Sequence, residues 1–171
     1  LGRPWSPPFD RQDSPLFDAT IPAAREAALL LSKTGGIGWT LLRPPNDTWA
    51  RTRPSSGQQL LRPGHDVFGT QVTGERDKER VERGNLHANF TLDLAEAVAR
   101  NGGILGIINP SNSKLRDHPR VETLQRTGNA QWCNFDQCMT GCPARGEVSG
   151  LTQSKAFNEG HIHCDGYNLC L

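Results

Sequence analysis

The chain has 171 residues, a formal net charge of +1, 35% hydrophobic residues, 12 prolines and 18 glycines. This length suits a single domain. The balanced charge gives no strong overall attraction for nucleic acid or acidic membranes, and no apolar run approaches the ~20 residues of a membrane helix.

The first 20 residues are predicted to form an extended, proline-rich arm, in which Trp5, Phe9 and Phe17 are candidate docking anchors. Strong helix formers follow a proline from Pro22 to Ser32 and predict a helix. The following Gly35-Gly36-Ile37-Gly38 has two interpretations, a cofactor-binding turn or the end of that helix. We favour the helix end, because these glycines precede a strand instead of following one.

A buried strand is predicted near residues 37–43, and the double proline at Pro44-Pro45 ends it. Residues 44–74 contain many glycines and prolines and predict a long loop. From Glu75 to about Asn101 an apolar stripe at three- and four-residue steps predicts a helix, which Gly84-Asn85 could divide into two.

A second apolar strand is predicted at residues 104–108, a short helix at 118–126 and a third strand at 131–135. This order predicts an α/β fold: a small, mainly parallel sheet with flanking helices, long loops and an irregular C-terminal tail. We therefore divide the chain into an arm (1–20), an α/β domain (21–140) and a Cys/His-containing tail (141–171).

Two predicted strands end in similar turns, one at Asn46 and one at Ile108-Asn109-Pro110. Open α/β sheets place their chemistry at the carboxyl ends of parallel strands, so we expect Asn46 and Asn109 to lie close together beside one crevice. Neither Asn46 nor Ile108 can be a nucleophile or an acid.

The long loop is a candidate nucleic-acid-binding surface, because arginines that contact phosphate are combined with an aromatic ring that stacks on bases. Its residues are Trp49, Arg51, Arg53 and Arg62. The alternative is an ordinary α/β loop without a ligand.

All five cysteines lie between Cys133 and Cys170. Zinc requires four ligands of the thiolate and imidazole kind. The candidate set is Cys138, Cys142, His161 and Cys164, with His163 as a substitute. The spacings are irregular, so scattered structural cysteines are the alternative.

Several short motifs, taken together, resemble a known family. They read Pro44-Pro45-Asn46, Thr48-Trp49, Arg51-Thr52-Arg53, Gly84-Asn85, Ile108-Asn109-Pro110, Ser113-Lys114-Leu115-Arg116 and Asp136-Gln137-Cys138. From about Leu29 to His163 the chain resembles a cytosine-5 DNA-methyltransferase-like family of protist retroelement-type open reading frames. The resemblance implies a partial Rossmann-like methyltransferase layer, corresponding to the second half of such a sheet.

The departures from that family remove its chemistry. The resemblance places the nucleophilic thiol at Asn46 and the glutamate that contacts the pyrimidine ring at Ile108. We therefore expect no catalytic residues, only vestigial positions at Asn46, Ile108 and Asn109. We also expect no S-adenosylmethionine, because the glycine-rich turn that would hold it after the first strand is missing.

Three functional classes follow from the sequence. The first is a non-catalytic, degenerate methyltransferase-like domain that acts as a binding or structural module, with nucleic acid as a candidate ligand. The second is a small structural subunit of a larger protein assembly. The third is a zinc-stabilised nucleic-acid-binding module that uses the tail; in the other two classes no cofactor is expected.

Overall fold

A computed structural model describes residues 18–51, 60–128, 130–136 and 147–152. Its elements are helix α1 (Pro22–Lys33), strand β1 (Trp39–Leu42), helix α2 (Glu75–Arg100), strand β2 (Ile104–Pro110), a 3₁₀ helix (Lys114–Asp117), helix α3 (Pro119–Gly128), strand β3 (Gln131–Asp136) and strand β4 (Glu147–Thr152). The predicted helices and the first three strands are confirmed to within a few residues. None of the helices in these ranges has the length and apolar character that a membrane span requires.

The four strands form one mixed sheet in the order β1-β2-β4-β3. β1 pairs with β2 in parallel, whereas β4 is antiparallel to both β2 and β3. The predicted mainly parallel sheet is therefore wrong in its pairing, because two of the three ladders are antiparallel. β3 does run in the same direction as β1 and β2, but β4 separates it from them.

β4 corrects a second expectation, because it lies inside the segment predicted to be an irregular tail. Its Ser149 and Gly150 are poor indicators of a strand on their own. The strand forms because its backbone pairs with β2 on one side and with β3 on the other. Thr152, for example, lies between Gly106 of β2 and Gln131 of β3. Such pairing depends on the rest of the sheet and leaves little trace in local sequence.

The core lies between α2 and one face of the sheet. Leu105, Ile107 and Asn109 alternate along β2 toward this side and are buried, whereas Ile104 on the other face is exposed. Residues of α2, the 3₁₀ helix and α3 complete the same apolar cluster, including Leu92, Val98, Leu115, Val121 and Leu124. Near the carboxyl end of β2, the side chain that faces this core is therefore that of Asn109.

The glycines after α1 form a helix cap, as we inferred. Gly35 has a φ of 73°, and the amides of Gly35 and Gly36 donate to the carbonyl oxygens of Ser32 and Leu31. This is the hydrogen-bond pattern of a Schellman motif, in which the last carbonyls of a helix are satisfied by the turn that follows. The glycines thus end α1 and lead the chain into β1.

Gly84-Asn85 does not divide α2, which continues through both residues. Gly84 is buried because the long loop crosses the helix at this point. A Cβ at Gly84 would overlap the hydroxyl oxygen of Thr48 and come within 3.1 Å of the Arg62 guanidinium. The glycine is therefore a place of close approach between helix and loop.

Candidate functional site

The carboxyl ends of β1 and β2 meet at one edge of the sheet. The side-chain amide of Asn109 donates to the carbonyl oxygen of Pro44 at 3.3 Å, which ties the end of β2 to the turn that carries Asn46. The predicted proximity of the two strand ends is therefore supported at Pro44, two residues before Asn46.

Both asparagines carry a buried oxygen at this edge. Asn109 is 1% exposed, and neither its Oδ1 nor that of Asn46 has a hydrogen-bond partner in the described part of the chain. The bond from Asn109 to Pro44 fixes the orientation of the carboxamide, because the reverse orientation would set two oxygens against each other. The strand ends thus present two carboxamide oxygens, which can accept hydrogen bonds but cannot attack a substrate.

The turn after β1 is held between α2 and the turn after β2. The Lys114 amide donates to the Trp49 carbonyl oxygen at 2.7 Å, and the Arg51 amide donates to that of Asn112 at 3.1 Å. The indole Nε1 of Trp49 donates to the carbonyl oxygen of Gly84 at 3.4 Å. We call these contacts the clamp: they join Trp49 and Arg51 to Gly84, Asn112 and Lys114. The clamp fixes residues 48–51 in one position beside the strand ends.

Arg62 lies inside this clamp and is 0% exposed. Its guanidinium carbon stands 3.6 Å from the centre of the Trp49 ring. Its donors bind the Thr48 carbonyl oxygen at 2.9 Å, the Val67 carbonyl oxygen at 2.6 Å and Asn85 Oδ1 at 2.8 Å. Arg62 therefore joins the loop to α2 at its centre.

Arg62 stays positively charged although it is buried. Desolvation lowers the pKa of the guanidinium to about 10, and the carboxylates of Asp66 and Asp47 partly oppose that shift. The side chain remains protonated at neutral pH, so all of its hydrogen bonds retain a charged donor.

The predicted nucleic-acid surface is not assembled as expected. Trp49 and Arg62 are buried against each other, so neither offers a face to a base or a phosphate. Arg51 is exposed and forms an ion pair with Asp117, and Arg53 lies outside the described residues. The sequence identified the right residue types for such a surface but could not show that two of them stack on each other.

The predicted zinc ligands Cys138, Cys142, His161 and Cys164, and the substitute His163, all lie outside the described ranges. In the residues that the structure does describe, no group of three His, Cys, Asp or Glu side chains could hold a metal ion. The zinc site therefore stays a prediction.

A cleft of about 470 Å³ opens beside the strand ends. We call it the arginine cleft and define it by its lining residues, which are Arg51, Ser111, Arg116, Asp117, Gln125 and Trp132. The guanidinium carbon of Arg116 lies 4.8 Å from the centre of the Trp132 ring. Sequence reasoning missed Arg116 and Trp132 as partners, because the 3₁₀ helix and β3 bring together residues that no local motif connects.

His118 packs near Trp49 and is 3% exposed. Its ring centre stands 5.2 Å from that of Phe68 and 6.2 Å from that of Trp49, and its Nδ1 accepts a hydrogen bond from the Arg120 amide at 3.2 Å. Burial lowers the pKa of His118, and the positive charges of Arg120 and Arg62 lower it further.

We expect the chain to lose stability as the pH falls below the ordinary histidine pKa of about 6.5. There the unfolded chain protonates His118 more readily than the folded chain, so the free energy of unfolding falls, by at most about 1.4 kcal/mol per pH unit for one proton. Urea unfolding between about pH 5 and pH 8 should give a smaller slope for His118→Gln than for the parent. The exposed His65 provides the control His65→Gln, and equal slopes for the parent and His118→Gln would contradict the expectation.

Comparison of the chain with known proteins finds no matching family model, curated protein or solved structure. The resemblance drawn from the sequence motifs therefore stays a prediction. The strand ends, the clamp and the arginine cleft are the features of the molecule that bear on its function.

Proposed function

We propose that the chain is a non-catalytic, degenerate methyltransferase-like domain that acts as a binding module. The observation that carries the proposal is the turn after β1. Asn46 occupies the position that the resemblance assigns to the thiol, and its side-chain oxygen is buried. A carboxamide is not a nucleophile at neutral pH, and a buried one is poorly placed to meet a substrate.

The end of β2 supports the same proposal. Ile108 occupies the position that the resemblance assigns to the glutamate, and its side chain can neither donate nor accept a proton. Side chains alternate along a strand, so Ile108 points away from the face on which Asn109 is buried. A carboxylate introduced at position 108 would therefore lie on the opposite face of β2 from the side chain of Asn109.

The turn before β1 also fits this proposal. Gly35 and Gly36 bind the last carbonyls of α1 with their amides. A glycine turn that cradles a methyl donor would instead follow its strand and present free amides to the ligand. We therefore propose that this turn holds no S-adenosylmethionine.

We expect no methyl transfer from S-adenosylmethionine to cytosine-containing DNA or RNA by the chain, by Asn46→Cys or by Asn46→Cys/Ile108→Glu. The first substitution restores a thiol and the second adds a carboxylate, but neither creates a donor-binding turn. The measurement is incorporation of labelled methyl groups, with a reaction that lacks protein as the control.

Turnover by the unsubstituted chain above that control would overturn the proposal. Methyl transfer by Asn46→Cys alone would show that the donor and acceptor sites are intact. The inactivity of the chain would then be explained by the loss of a single residue. Circular dichroism of each variant checks that silence reflects missing chemistry and not unfolding.

A structural subunit of a larger protein complex is the second candidate, and exposed apolar side chains favour it. They are Ile21, Leu30, Leu31, Leu41 and Ile104, with Leu30 64% exposed. Large apolar side chains at a surface are typical of protein interfaces when they lie together. This candidate requires nothing of the arginine cleft, so variants of the cleft distinguish the two functions.

A further inference from the structure

The arginine cleft is built from five parts of the chain. Arg51 follows β1, Ser111 follows β2, Arg116 and Asp117 lie in the 3₁₀ helix, Gln125 lies in α3 and Trp132 lies in β3. It is an open, mostly polar cleft with a volume of about 470 Å³. Its formal charge is positive, with two arginines and one aspartate.

Arg116 and Trp132 form a stacked pair at one wall. A guanidinium over an indole face is attracted by the ring quadrupole, which holds Arg116 against β3 at 4.8 Å from the ring centre. A guanidinium is a planar cation, which attracts an anion by its charge and has a flat surface on which an aromatic ligand can stack.

Arg51 also lines the cleft, where it pairs with Asp117. Both side chains are nearly half exposed, at 46% and 45%. Exposed ion pairs contribute little to stability, so Arg51 can exchange Asp117 for a stronger anion at low cost. A phosphate is such an anion, because its oxygens accept two parallel hydrogen bonds from one guanidinium.

We propose that the arginine cleft binds one nucleotide, with its phosphate between Arg51 and Arg116 and its base against the Arg116–Trp132 stack. Gln125 lines the same space and can bond to the edge of the base or to the sugar. The inference rests on the proposed function, since a cleft of this kind belongs to a binding module. A free nucleotide and an unpaired nucleotide of a single strand share this chemistry.

The experiment is a binding titration on the whole chain by fluorescence anisotropy. The probes are labelled adenosine and cytidine monophosphates, a single-stranded oligonucleotide of about ten bases as DNA and as RNA, and the same sequence as a duplex. We expect the unpaired probes to bind more tightly than the duplex, because stacking requires an exposed base face. Comparison of the free nucleotides with the single strands identifies the source of the ligand.

Three variants test the proposal: one should weaken binding, one should strengthen it, and one is a control that should leave it unchanged. Arg116→Gln should weaken binding by about tenfold or more and lower the dependence of log affinity on log salt concentration by about one. Asp117→Asn should strengthen binding about two- to fivefold, because it frees Arg51 and removes the negative charge from the cleft. Arg100→Gln is the matched control: it removes an equal charge in the last turn of α2, just before β2 begins at the other edge of the sheet.

Several results would overturn the proposal. They are an absence of binding by every probe, equal weakening by Arg116→Gln and Arg100→Gln, and equally tight binding of the duplex. Displacement of the probe by polyglutamate as effectively as by nucleotide would also do so, since it would indicate a general anion site. These outcomes concern only the ligand of the cleft, whereas the methyl-transfer assay decides whether the domain is catalytic.

Discussion

Replacement of Arg62 with methionine is expected to lower the free energy of unfolding by at least about 1–3 kcal/mol, the cost of leaving one buried hydrogen-bond acceptor without its partner. Methionine fills much of the same space but has no donor. The carbonyl oxygens of Thr48 and Val67 and the Oδ1 of Asn85 would lose the bonds that Arg62 makes to them. Unpaired buried acceptors are costly, so the loss should exceed that of a hydrophobic contact alone.

The matched control for Arg62→Met is Arg51→Met. Arg51 lies in the same loop but is exposed and forms a side-chain ion pair with Asp117 at the surface, so its loss should change stability by no more than about 1 kcal/mol. Urea unfolding followed by far-ultraviolet circular dichroism measures both. Equal effects of the two substitutions would mean that the clamp does not depend on the guanidinium.

Arg62→Lys separates charge from geometry. Lysine keeps the positive charge but replaces the planar fork with a single ammonium group, which cannot reach Thr48, Val67 and Asn85 together or stack flat on Trp49. We expect a loss close to that of Arg62→Met. Stability near that of the parent would show that the charge alone holds the loop on α2.

The helices and three strands could be predicted because their signals are local. The apolar stripe of α2 repeats at helical steps, and β2 begins with a continuous apolar run from Ile104 to Ile108. β4 could not be predicted in this way, because its place depends on two neighbouring strands. The prediction of a mainly parallel sheet failed for that one reason.

The candidate site was predicted in part. The meeting of the two strand ends follows from the general geometry of parallel sheets, and the bond from Asn109 to Pro44 supports it. The loop arginines were a different matter, since sequence shows the charge of Arg62 but not its burial over Trp49. Arg116 and Trp132 form their pair only through tertiary contact, so no pattern along the chain could indicate the cleft.

Gly84→Ala is expected to destabilise the chain by about 1–3 kcal/mol, the usual cost of an added methyl group in a packed site. In an open helix the same change would stabilise the chain by about 1 kcal/mol, because alanine favours the helix. Here the new Cβ would overlap the hydroxyl oxygen of Thr48 and crowd the Arg62 guanidinium at 3.1 Å. The sign of the effect therefore reports whether the loop packs on α2 as described.

Two further variants test the cause of that loss. Gly74→Ala is the control, because the nearest atom to its Cβ would be Oδ2 of Asp77 at 3.8 Å; it should cost no more than about 1 kcal/mol, the usual preference for glycine over alanine at a helix N-cap. Thr48→Ala removes the oxygen that the new methyl group would meet. In that background Gly84→Ala should cost clearly less than in the parent, since residues in direct contact are not additive. Additive losses in the double variant, measured by urea unfolding, would show that Thr48 and Gly84 do not touch and that the loop lies elsewhere on the helix.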